Sequence, residues 1–159
     1  MFAFGGPLAD AIRRFKFGRM PALGRTLASL LREDEELTDK EALERRLIVP
    51  VPLHYRRLRQ REFNPASLLV LAAPLTGIRA FDALSRVRDT PPQTALSGRA
   101  RQNNVRDAFV GRRDRVRGRS VLLIDDVMTT GATVEACTRA LRQAGAIEVS
   151  VLTMARAVP

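Results

Sequence analysis

Residues 121–133 read VLLIDDVMTTGAT. An apolar run leads into two adjacent carboxylates, Asp125 and Asp126. A loop of small, mostly hydroxyl-bearing residues follows: Thr129, Thr130, Gly131, Ala132 and Thr133. Such a loop entering a helix offers free backbone N–H groups, the positive end of the helix dipole and short hydroxyls, which together hold a phosphate without a lysine. Gly131 permits positive φ or close backbone approach to a ligand. The two acids would repel a phosphate on contact but suit neutral hydroxyls, such as the vicinal diol of a ribose. Phosphate in the loop and diol on the acids describe a ribose 5-phosphate. The competing reading is a strand end with two solvated aspartates before an ordinary helix N-cap. The strand–loop–helix context separates the full arrangement from a bare acid pair. Neither GxxxxGK[ST] nor GxGxxG occurs in the chain, which removes the P-loop and dinucleotide fingerprints.

The elements that must position these groups are legible nearby. Residues 120–125 form the clearest strand, and 132–145 the clearest helix, with Val134, Cys137, Leu141 and Ala144 on one face and Gly145 as C-cap. Residues 147–155 give a final strand, so strand, helix and strand predict a βαβ unit in a parallel sheet and an α/β fold. Ligands of such sheets sit at the carboxyl ends of the strands, where the acids and the loop lie. Upstream, 7–17 places Leu8, Ile12 and Phe15 at helical spacing, and 21–33 does so with Leu23, Leu27, Leu30 and Leu31 behind Pro21. Residues 33–46 read as a polar connector or short helix, and 47–52 as a buried strand ending at its prolines. Asn64 and Pro65 open a helix that stops before Pro74. A short strand over 80–87, an exposed loop or lid over 88–104, an edge strand over 107–111 and a basic turn over 112–119 complete the pattern.

With 159 residues, 45 % hydrophobic and 28 % charged, the chain reads as a single globular domain. Its formal net charge is +10, and all but Lys16 and Lys40 of its 27 basic residues are arginines. That balance suits an anionic partner such as phosphate, pyrophosphate or nucleic acid; arginines that merely decorate a solvated surface are the alternative. Cys137 is the only cysteine and His54 the only histidine, so the chain can build neither an internal disulfide nor a zinc site of Cys and His alone. The start of the chain carries Asp10 and three basic residues where a secretory signal needs an apolar core, and LLVLAA at 68–73 is too short to span a bilayer. The expected compartment is the cytoplasm.

VLLIDDVMTTGAT resembles, along its whole length, the signature by which type I phosphoribosyltransferases bind 5-phosphoribosyl 1-pyrophosphate (PRPP). FKFGR at 15–19, IVPVPLHYRRLRQREFNPA at 48–66, RVRDTPPQTALSGRARQNNVRDAF at 86–109 and GAIEVSVLTMAR at 145–156 narrow the resemblance to the competence protein F (ComF) family. It covers nearly the whole chain. It implies an α/β, type I phosphoribosyltransferase-like fold with a parallel-sheet core flanked by helices and a flexible loop, as a single domain over 1–159. Two departures stand out. Where the family usually shows Arg-Gly-Phe-Asn-Gln, this chain has Arg61, Glu62, Phe63, Asn64 and Pro65, which puts a negative charge near the pyrophosphate region. The four-cysteine zinc module with which many members begin is also absent from this sequence.

The resemblance implies that Asp125 and Asp126 bind the ribose hydroxyls of PRPP and that Thr129, Thr130, Gly131, Ala132 and Thr133 hold its 5-phosphate. Val51 and Pro52, within VPVP at 49–52, match the pyrophosphate loop, and Arg56, Arg57, Arg59 or Arg61 would meet the diphosphate. A solvated surface role is the alternative for each arginine. Residues 88–104 match the loop that closes over the substrate, with Gln93, Arg101 and Asn104 as its family-pattern polar residues and plain solvation as their alternative. His54 is either a proton donor beside the pyrophosphate loop or, as favoured here, a surface histidine; Cys137 is expected in the core. The implied reaction is displacement at the anomeric carbon of PRPP, with Mg²⁺ held by the ligand's own oxygens and water rather than by a dedicated protein site. No acceptor pocket is visible. Two functional readings follow: a Mg²⁺-dependent phosphoribosyltransferase with an unidentified acceptor, connected with competence, or a non-catalytic PRPP-responsive module that binds single-stranded DNA or DNA-uptake proteins. Scarce aromatics, 5 % of the chain, weigh against base stacking. A scaffold that has lost its ligand is a third reading, supported by Glu62.

Overall fold

A computed structural model describes residues 2–18, 20–31, 40–89, 105 and 107–157. The elements run β1 (Phe2–Ala3), α1 (Gly6–Phe17), α2 (Leu23–Ala28), α3 (Lys40–Arg45), β2 (Leu47–Pro50), α4 (Tyr55–Arg61), α5 (Pro65–Ala72), β3 (Ile78–Arg79), β4 (Leu84–Arg86), β5 (Phe109–Gly111), α6 (Arg113–Val116), β6 (Ser120–Met128), α7 (Ala132–Gln143) and β7 (Glu148–Arg156). Five strands form one all-parallel sheet in the order β1-β7-β6-β2-β3. The predicted α/β class and parallel core are what the chain has.

A parallel sheet is covered on both faces, so its central strands need apolar side chains in both directions. In β6, Val121 and Leu123 join one core with Val134, Cys137 and Leu141 of α7. Leu122 and Ile124 point the other way, into a second core with Ile12 and Phe15 of α1, Leu27 of α2 and Leu69 of α5. β2 is buried along its whole length and pairs with β6 from Leu47 opposite Val121 to Pro50 opposite Ile124. The expected strand over 47–52 is shorter, because Pro50 and Pro52 cannot donate. The ladder nevertheless takes one more bond, from the Val51 N–H to the Ile124 carbonyl at 2.9 Å.

Several expectations shift on contact with the structure. The helix expected over 21–33 is regular only from Leu23 to Ala28, then tightens into a turn. There the N–H groups of Leu30 and Leu31 bond to the carbonyls of Leu27 and Ala28, which buries Leu31 and leaves Leu30 outside; residues 32–33 lie outside the described residues. The strand expected over 80–87 contracts to β4, preceded by the two-residue β3 on the main sheet. The expected edge strand over 107–111 does not border the main sheet. It pairs antiparallel with β4 as a separate two-stranded sheet lying on α7. Gly111 makes this possible, since a Cβ there would stand 2.8 Å from both the Ala140 carbonyl and the Ala144 Cβ. The basic stretch 112–119 contains α6 rather than a plain turn. α4, unread in the sequence, buries none of its side chains and so carries no apolar periodicity to read.

α5 begins as predicted. The Asn64 Oδ1 accepts the Ala66 N–H at 3.1 Å, and the Asn64 Nδ2 donates to the Val51 carbonyl at 3.0 Å. One side chain thus caps a helix and ties it to the chain leaving β2. Asn64→Ala is expected to lower stability by about 1–2 kcal/mol in urea denaturation, while Asn64→Ser, which keeps a cap but loses the tether, recovers only part of that.

Candidate functional site

β6 does not end at the acids. It runs on to Met128, which places Asp125 and Asp126 inside the strand rather than at its tip. Side chains alternate across a strand, so the two acids belong to opposite faces. Asp125 lines an open hollow with Val127, Met128, Thr129, Gly131, Thr133 and Val134. Asp126 is buried on the face toward α1, 7 % exposed, where the Lys16 Nζ meets its Oδ1 at 2.8 Å. The Asp125 Oδ1 accepts the Asp126 N–H at 2.9 Å and the Asp126 Oδ1 accepts the Val127 N–H at 2.7 Å, which stiffens the strand end. The structure therefore brings one of the two predicted acids to the hollow and gives the other a cation.

The loop behaves as its residues suggest. Gly131 stands at the N-cap of α7 with φ of 80°, a left-handed conformation that favours glycine. No side chain caps this helix, and the Glu135 N–H bonds back to the Gly131 carbonyl, so the preceding N–H groups of the first turn have no helical partner. Thr129 and Thr130 are exposed, Thr133 is half-buried beside the hollow, and the Ala132 side chain is packed in the core. Uncapped helical N–H groups, short hydroxyls and a carboxylate thus share one concavity.

Asp125 carries an electrostatic cost. Burial and the neighbouring charge of Asp126 push its pKa up to about 7, against the pull of Lys16. Burial also pushes the Cys137 thiol up, with Asp125 adding to it, and Cys137 is a core residue as expected.

The residues around the carboxyl end of β2 divide. Val51 is a core side chain, Pro52 is half-buried beside it, and neither lines the hollow. Arg56, on α4, reaches the Asp89 Oδ2 at 3.5 Å. Arg61 lies 4.5 Å over the Phe17 ring; burial lowers its pKa while the charge of Asp126 opposes this, which sets it on the α1 side. Arg57 lies within the field of Arg86, as does Asp125. His54 is not a surface histidine: it is 6 % exposed, its ring centroid 4.4 Å from that of Tyr55, and its Nδ1 is 3.5 Å from the Asp89 Oδ1. The strand end, the α4 start and the β4 exit close around it. Gln93, Arg101 and Asn104 lie outside the described residues.

Lys16, Arg86 and Asp89 are the participants the sequence reading did not single out. Arg86 stacks over Phe109 at 5.3 Å. Burial lowers its pKa and Arg57 lowers it further, while Cys137, Asp89 and Asp125 pull it back up. Strand alternation held the signal for Lys16: adjacent acids in a buried strand face opposite ways, and the inward one needs a cation.

Over 95 % of its length the chain is 36 % identical to Competence protein F of Haemophilus influenzae, covering 69 % of that protein, and residues 62–157 match the phosphoribosyl transferase domain family. The chain belongs to the competence protein F family of phosphoribosyltransferase-domain proteins. Within that family it is 34 % identical to DNA utilization protein YhgH of Escherichia coli, over 96 % of this chain and 69 % of that one. It is 30 % identical to Competence protein ComFC of Streptococcus pneumoniae, over 98 % and 66 %. Among solved structures, an allosteric regulatory enzyme of purine biosynthesis aligns over 86 % of this chain at 23 % identity with a TM-score of 0.45. The glutamine phosphoribosylpyrophosphate amidotransferase of B. subtilis aligns over 86 % at 22 % identity, also with a TM-score of 0.45. This chain spans 25 % and 26 % of those two enzymes. Among the described residues no helix is long and apolar enough to cross a membrane.

The raised Asp125 pKa has a defined consequence. The folded protein holds a proton that the unfolded chain releases near pH 4, so this group costs stability progressively as pH rises from about 4 to about 7. Asp125→Asn mimics the protonated acid. Its stability relative to wild type is expected to be near parity at pH 4 and to grow to a gain of about 1–3 kcal/mol by pH 8, measured by denaturation in the absence of ligand.

Proposed function

We propose that the chain binds PRPP and transfers its ribose 5-phosphate to an acceptor, in a process connected with competence. The observation that carries this reading is the single hollow in which the uncapped start of α7 and its threonine loop face Asp125. The 5-phosphate would take the N–H groups of Thr133 and its neighbours together with the hydroxyls of Thr129, Thr130 and Thr133. A ribose diol donating to Asp125 would stabilise a carboxylate that burial makes costly. Arg56 and Arg57, at the carboxyl side of β2, would meet the diphosphate, whose bond to the anomeric carbon breaks as the acceptor attacks.

Among the described residues no three His, Cys, Asp or Glu side chains gather to hold a metal. The hard oxygen donors of Asp125 and the threonines suit Mg²⁺ that keeps water and ligand oxygens in its shell. Bound to the diphosphate, Mg²⁺ would neutralise charge on the leaving group. In calorimetry with Mg²⁺, PRPP is expected to bind the wild-type chain saturably, with affinity at least about tenfold weaker in Asp125→Asn. A wild type that stays folded and takes up no PRPP overturns the reading.

The names of the relatives and the +10 charge support a second reading, an accessory module that contacts single-stranded DNA. Several arginine–phosphate contacts should make oligonucleotide affinity fall steeply with added salt. A flat dependence, or no binding at low salt, removes it.

A further inference from the structure

His54 presents an anomaly that the phosphoribosyl reading does not use. It is 94 % buried, because its exposure is only 6 %, yet its Nδ1 makes no hydrogen bond. Buried polar nitrogens nearly always find a partner. The Asp89 Oδ1 lies 3.5 Å from it, and the other oxygen of the same carboxylate is 3.5 Å from the Arg56 Nη1. Both separations exceed the 2.7–3.2 Å range of good N–H···O bonds. Asp89 therefore spans two nitrogen partners at longer range than a good bond, and the His54 Nδ1 stays without one. Arg86, held over the Phe109 ring, lies within reach of the same carboxylate's field and of Arg57. Two side chains at the start of α4, His54 and Arg56, thus meet one loosely held anion at the exit of β4.

We propose that Asp89 is a built-in substitute for a diphosphate: its carboxylate occupies an anion site formed by His54 and Arg56, and a diphosphate binds by displacing it. A carboxylate offers two oxygens on one carbon. A diphosphate spreads more anionic oxygens over a greater span and reaches donors too far apart for Asp89 to bond well. The loose fit makes displacement inexpensive, while the charge of Asp89 offsets that of Arg56. Asp89 then acts as a competitor tethered beside the site, lowering affinity for every diphosphate ligand alike. The identification of that ligand as the diphosphate of PRPP rests on the phosphoribosyl reading; the competition itself does not.

The test is calorimetric titration of inorganic pyrophosphate, with Mg²⁺, into the full chain and its variants. Asp89→Asn removes the competing charge and is expected to bind pyrophosphate about tenfold more tightly. Asp89→Ser, which leaves no amide to replace the carboxylate, is expected to do the same. Adding Arg56→Gln to Asp89→Asn should abolish the gain, and His54→Gln alone should weaken binding. Equal or weaker binding by both Asp89 variants, each verified as folded by its thermal transition, overturns the proposal. Ribose 5-phosphate, which carries no diphosphate, separates this outcome from failure of the functional reading. If it binds wild type and both Asp89 variants alike while pyrophosphate ignores Asp89, the competition is wrong and the phosphoribosyl site stands. If pyrophosphate tightens in the variants while ribose 5-phosphate never binds, the competition stands and the phosphoribosyl site fails.

Discussion

The structure is organised by the alternation of side chains along one buried strand. β6 lies between β2 and β7 in a sheet covered on both faces, so each successive residue is committed to one core or the other. Two adjacent aspartates in such a strand cannot share a fate. Each carries a charge out of water, and a buried charge must be paired, neutralised or put to use. Lys16 on α1 pairs with Asp126. Asp125, on the side of α7, is left with a raised pKa and a hollow in front of it.

That division explains more than the acids. Lys16 sits in the last turn of α1, so the Asp126 ion pair pins the end of this helix against the sheet, where Phe15 fills the core and Phe17 takes Arg61 above its ring. Arg61 is thereby drawn to the α1 side of the sheet, while Arg56 and Arg57 remain near the exits of β2 and β4. A single run of arginines in the sequence is thus divided, with Arg61 over Phe17 on the α1 side and Arg56 against Asp89. Glu62 fits the same account. It ends α4 in a left-handed conformation with φ of 69°, its N–H bonded to the Leu58 carbonyl, at a position where glycine would carry no strain. Its departure from the family's usual glycine is therefore a cost in backbone geometry at a helix end.

What the sequence made legible follows from which signals are local. The Asn64–Pro65 start of α5, the glycine before α7 and the apolar run of β6 each announce themselves within a few residues, and each is found where expected. The family resemblance located the hollow through the same local motif. The pairing of β5 with β4, the burial of His54 and the Lys16–Asp126 contact join segments far apart in the chain, and nothing in any one of those segments specifies its partner. α4 is illegible for a different reason: a helix with no buried side chain has no apolar period.

The stability of the strand end and its capacity for chemistry pull against each other. A fold optimised only for stability would replace Asp125 with an apolar residue, cap α7 with a serine or aspartate and give the His54 nitrogen a short bond. Here all three are left undone within one region, at the carboxyl ends of β2, β4 and β6. Residual strain and unsatisfied polar groups concentrated at one end of a sheet, above cores packed from both sides, mark where a ligand would complete the structure. On the proposed reading the three features ask for complementary chemistry: hydroxyls for a reluctant carboxylate, and anionic oxygens for an uncapped helix and for a histidine beside an arginine. A sugar carrying phosphate at both ends would supply all of them at once, which a lone phosphate or a neutral sugar would not.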